Sequence, residues 1–184
     1  MFKKRLRLLL PVLAVAVMAF LPACSNIGKV TYKEGEPVIS EVMTSNSNVL
    51  IHDKLGSPDW IELYNPGTTD INLEGYVLRN PGKVTVYYQF PDVTLKSGEY
   101  LIVYCCDGQK APNELCTGFN LSKEQACVVL MDSHLMTIQE LNIPELHTDV
   151  SYCLTDGTYK YCMTPTPGEV NTGLMSDDTN EISE

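Results

Sequence analysis

Positive charge is scarce in this chain. Thirteen Lys and Arg stand against 23 Asp and Glu, for a net charge of −10. Four of the bases, Lys3, Lys4, Arg5 and Arg7, lie at the very start, where there is no acid before residue 24. Taking those four from thirteen leaves nine bases against 23 acids in the rest, a net charge of −14. Affinity for a nucleic-acid backbone comes from cationic contacts, so such a chain is not expected to bind one. Long apolar runs are missing as well. Residues 8–21 form a run of 14, short of the roughly 20 needed to span a bilayer as a helix. Histidine occurs three times and tryptophan once. No G-x-S-x-G, H-E-x-x-H, phosphate-loop or dinucleotide pattern is present, so the common signatures of hydrolases and nucleotide enzymes are absent. There is no Cys-x-x-Cys, which removes the usual spacing of a zinc site.

What is present at the start is a basic segment, the short apolar run, and "LPAC" ending at Cys24. That order describes a secretory signal. A cysteine directly after Leu-Pro-Ala resembles the lipobox of bacterial lipoproteins, which implies that residues 1–23 are removed and that Cys24 is lipidated. Each buried acyl CH₂ contributes about 0.8 kcal/mol, so several chains on one residue anchor a domain durably. The expected address is the extracytoplasmic face of a bacterial cell membrane. Residues 24–36 are short and polar and read as a tether. After a punctuated "TPTPGEVNTG", the end "LMSDDTNEISE" carries four acids and no base, so residues 172–184 are expected to be a disordered tail.

Between them, over residues 37–171, short alternating runs are separated by turn chemistry. The runs are residues 38–43, 60–65, 75–80, 84–90, 99–105, 126–132 and 149–154, with 160–164 as an eighth. "NPGTTD", "NPGK", "LKSGE", "CDGQ" and "TDGT" divide them. Seven or eight such strands predict an all-β, antiparallel sandwich. Only residues 135–141 have any helical look.

The stretch "PDWIELYNPG" carries the single tryptophan and two carboxylates three residues apart. In a strand, neighbours face opposite ways. Ile61 and Leu63 then share one face, and Trp60, Glu62 and Tyr64 the other. Asp59 and Glu62 project to opposite faces and cannot act as a catalytic pair unless a bulge intervenes.

Several of these segments together resemble the lamin tail domain, an immunoglobulin-like β-sandwich of nuclear lamins and many secreted bacterial proteins. Ile39-Ser40-Glu41-Val42 matches an I-x-E-[IV] strand. Residues 59–65 match D-W-[IV]-E-L-Y-N, and residues 73–78 match L-x-G-[WY]-x-L. Residues 90–103 match a paired strand motif, and "TPTPGEVN" matches the family's close. The resemblance covers residues 38–171 and implies an immunoglobulin-like fold and a non-catalytic role. Cys153 and Leu154 depart from the pattern by replacing a glycine and an arginine, and Cys105 and Cys106 stand where small residues are usual. The family is therefore no guide to cysteine pairing.

Excluding Cys24, six cysteines remain, an even count that suits disulfides outside the cytoplasm. Cys153 and Cys162 oppose each other if the hairpin loop is even and centred between Gly157 and Thr158. A three-residue Asp-Gly-Thr loop would place Tyr161 opposite Cys153 instead. Cys106 and Cys116 are the next candidate pair. Glu41 and Glu62 sit mid-strand in strands that can be neighbours, forming either a cation or proton site or, preferably, acceptors for loop backbone or for Tyr and Trp donors. Asp53 and Asp59 flank a loop and are weak candidates for Ca²⁺, without the dense pattern of a committed site. His134 and His147 fall in loops. Trp60, Tyr64, Tyr100 and Tyr104 share strand faces and offer either an aromatic binding surface or core filling. These features favour a lipid-anchored, non-enzymatic binding or scaffolding module for a protein or a cell-envelope polymer. The alternative is a small surface metal-dependent hydrolase, or a redox protein using the cysteines.

Overall fold

The computed structural model describes residues 29–83, 86–106 and 114–178. The expected signal segment, Cys24 and the last six residues lie outside them. The described residues are all-β, without a helix. A six-stranded antiparallel sheet contains β1 (Val38–Met43), β2 (Asp59–Tyr64), β7 (Tyr100–Cys105), β10 (Ser151–Thr155), β11 (Thr158–Cys162) and β12 (Met175–Ser176) in the order β12-β11-β10-β1-β2-β7. A four-stranded sheet orders β5 (Tyr87–Gln89), β4 (Val77–Arg79), β8 (Ala126–Met131) and β9 (Thr137–Ile143) as β5-β4-β8-β9. A third, two-stranded sheet joins β3 (Ile71–Asn72) to β6 (Thr94–Leu95).

Strand alternation builds the core between the two main sheets. Ile61, Leu63 and Val103 face inward from one, and Leu78, Val128, Leu130 and Leu141 from the other. Each fully buried aliphatic side chain contributes about 1.5–3 kcal/mol. Phe90, Phe119 and Leu146 close the layer from loops.

Four findings differ from the sequence expectations. The described residues form twelve strands rather than seven or eight, the additions being the two-residue strands β3, β6 and β12 and the strand β9. Residues 137–143 form β9, pairing β8 over its whole length, so the helical look of 135–141 yields to a partner strand. Order also runs past residue 171, since Met175 pairs with Cys162 and Ser176 with Tyr161. Finally, the tether is docked within its described part. Val30 N–H donates to Gly157 O at 2.7 Å, and the Glu34 carboxylate accepts from the N–H groups of Thr68 and Thr69.

One irregularity repositions a carboxylate. The register of β1 on β2 shifts between Ile39 and Glu41, which marks a bulge at Ser40. Without it Ile39, Glu41 and Met43 would share a face. With it, Ile39 and Val42 join the core, while Glu41 lies directly across from Glu62.

Candidate functional site

Much of the face of the six-stranded sheet that points away from the core is itself covered. Met43, Trp60, Glu41, Glu62, Ser151, Cys153 and Cys162 all have no exposed surface. The cover includes the chain after β11, residues 163–178, which returns across the sheet as a strap. Prolines at 165 and 167 leave alternate N–H groups free, and those of Thr166 and Gly168 donate to Glu41 (3.4 Å) and Glu62 (2.5 Å) respectively. The Asn171 amide donates to Ser40 O, Ser40 Oγ and Leu154 O at 3.1–3.2 Å, and Asn171 Oδ1 accepts from Thr166 Oγ1. The strap ends as β12, with Lys160 and Asp177 3.4 Å apart.

Glu41 and Glu62 accept from loop N–H groups, whereas the expected Trp donor is not used, since Trp60 Nε1 has no partner. Ser151 Oγ also donates to Glu41. Burial pushes the Glu41 carboxyl up to about 7 against the hydrogen bonds from Ser151 and Thr166. Burial, with repulsion from Glu41 added, pushes Glu62 up to about 8. Among the described residues, Glu62 Oε1, Trp60 Nε1 and Thr44 Oγ1 find no hydrogen-bond partner.

The cysteines divide into separate environments. Cys106 and Cys116 form a disulfide with Cα atoms 6.1 Å apart, which ties Cys116 to the end of β7. Cys153 and Cys162 are free thiols. Asp156 and Gly157, both at positive φ, make a two-residue turn. That turn sets Lys160 opposite Cys153 and Ser151 opposite Cys162. Neither loop considered from the sequence is the one formed, and the two cysteines are diagonal rather than directly opposed. They nevertheless face the same way, on neighbouring strands of one sheet face. Cys105 lies buried in the core between the sheets, and Cys127 is half-buried beside Glu140.

The proposed aromatic surface splits. Trp60 is wholly buried and is not part of an accessible surface, because the outward sheet face is covered there. Tyr104 packs edge-on against His52 at 5.1 Å, while its backbone bonds Leu115 and Thr117. Tyr64 and Tyr100, paired across β2 and β7, stack at 4.5 Å with planes 22° apart. They line a groove of about 520 Å³ with Tyr32, Ser40, Asp156 and Thr172. Tyr32 is 52% exposed. Burial, with the neighbouring Tyr64, Glu62 and Tyr32 adding to it, holds the Tyr100 hydroxyl up at about 12, so it stays a neutral donor. Sequence reasoning missed Tyr32 because it assigned that residue to the tether. Its signal was faint: one tyrosine in a polar stretch.

Asp53 is exposed on the turn bridged by His52 and Gly56. Asp59 Oδ1 accepts from Asn46 N–H at 3.2 Å, and burial raises its carboxyl to about 6. Asp59 and Glu62 lie on opposite faces of β2, as the alternation predicts. Among the described residues, no three His, Cys, Asp or Glu side chains come together as a metal-ligand set.

Two antiparallel sheets closed over one apolar layer define an immunoglobulin-like sandwich. A family model described as Lamin Tail Domain matches residues 31–144, and the chain belongs to that family. The family's domains are non-enzymatic β-sandwiches suited to binding or scaffolding. No curated protein matches the chain.

Proposed function

We propose that this chain is a non-catalytic binding module, anchored by a lipid on Cys24 at the extracytoplasmic face of a bacterial membrane, whose tyrosine groove takes a neutral or amine-bearing glycan of the cell envelope. The observation that carries this reading is the stacked Tyr64–Tyr100 pair with Tyr32 at its rim. Flat aromatic faces suit the C–H faces of sugar rings, and a concave site with a few polar groups fixes orientation. Asp156 at the groove and the net negative charge beyond residue 23 disfavour anionic polymers. Tyr32 follows Cys24 by eight residues, so a fully extended segment would hold the groove within about 30 Å of the lipid. The hydrolase alternative has no comparable constellation among the described residues.

The test is calorimetric titration of the full chain in detergent with solubilised envelope glycan strands. Saturable binding is expected, with Tyr100→Ala weakening it at least ~10-fold, as truncating a central aromatic contact does. Tyr87→Ala, on the opposite sheet, should leave it unchanged. Absence of binding by the unaltered chain, or full binding by Tyr100→Ala, would contradict the proposal. Capture of a protein by the same tyrosines would replace the glycan with a protein partner.

A further inference from the structure

Among the described free cysteines, Cys153 and Cys162 are the two that stand diagonally on paired strands, on one face of the sheet. Cys162 Sγ donates to Thr164 O at 3.1 Å, and Cys153 Sγ lies 3.9 Å from Met175 Sδ. Both contacts come from the strap. Gly173 fits over the thiols with no room to spare: a Cβ there would collide with Thr164 O and stand 3.1 Å from Cys162 Sγ. The pair has no exposed surface, so a reagent reaches it only when the strap is off.

We infer that Cys153 and Cys162 are a disulfide-forming site gated by the strap, oxidised by a low-molecular-weight disulfide before residues 163–178 seat or while they are lifted. Once the strap is off, Cys162, the last residue of β11 and the one that borders the strap, begins the exchange. Its proton goes to solvent, its sulfur bonds one sulfur of the small disulfide, and the other sulfur leaves as a thiolate. Cys153 then loses its proton and attacks Cys162 Sγ, expelling the second thiolate. Two cysteines lose two electrons, and one small disulfide is reduced to two thiols. The bond removes the S–H that Thr164 O accepts, so oxidation also alters how the strap begins.

The experiment uses the reduced full chain and oxidised glutathione, with alkylation and peptide mapping over time. A Cys153–Cys162 bond is expected, with its formation at least ~10-fold faster in Gly173→Ala, because local opening controls access to buried groups. Asn171→Ala, which removes a strap anchor, is a second variant should Gly173→Ala fail to fold. Re-formation of Cys106–Cys116 should not change between unaltered chain and variant. The inference is overturned if the two thiols stay free even after refolding with the disulfide present, or pair with Cys105 or Cys127. Equal rates in unaltered and strap variants would overturn the gating.

Discussion

Ser40 is a small residue with a large consequence. By bulging from β1 it turns Glu41 to the side of Glu62, and the two carboxyls then meet the N–H groups of the strap. Both groups titrate well above the ordinary value of 4.5 in the folded state, near 7 and near 8. The folded chain therefore binds more protons than the unfolded chain between those limits. Their contribution to stability is fully present below about pH 4.5 and falls as pH rises through 8. Urea unfolding should show a loss of roughly a few kcal/mol across that window. Glu62→Gln keeps an acceptor for Gly168 and should flatten most of the loss. A profile for Glu62→Gln as steep as that of the unaltered chain would contradict this assignment. The facing of Ile61, Leu63, Trp60 and Glu62 was legible from alternation alone. The bulge was not, because an extra residue in one strand is defined only by the strand it pairs with. The register of Cys153 was hidden for a similar reason: it depends on Asp156 and Gly157 both adopting positive φ.

At the level of elements, the strap makes much of the outward face of the large sheet a second interior. Its cross-brace is Asn171, which satisfies Ser40 O and Leu154 O together. Asn171→Ala leaves both carbonyls without that donor. It should cost about 1–3 kcal/mol, as buried polar groups do when a partner is removed. Hydrogen exchange should rise in residues 163–178 before it rises in β2 or β8. Uniform exchange across the sandwich would show that the strap and the sheets open as one. "TPTPG" was legible as a stop with prolines, but its alternating N–H groups had no visible acceptors until β1 and β2 were paired. The acidic end misled because composition says nothing of the two residues of β12, which pair with β11. For β9, an apolar spacing open to either period was decided by the partner strand β8.

As a whole molecule, the chain is a lamin-tail sandwich whose length beyond the core is spent on its ends. Both ends are folded back in their described parts: residues 30–36 onto the β10–β11 turn and the loop after β2, and residues 163–178 over the sheet. They meet at the groove, where Tyr32 comes from one and Val170 to Thr172 from the other. The fold was readable because five motifs in order leave little freedom for two packed layers. The groove was only half readable, since two of its tyrosines are strand partners and the third arrives from a segment without a pattern. The central claim, that this groove meets an envelope glycan, is tested most directly in intact cells. A benzophenone amino acid placed at position 32 should yield glycan-bearing adducts on illumination, and one at exposed position 87 should not. Protein adducts alone from position 32, or identical adducts from both positions, would contradict it.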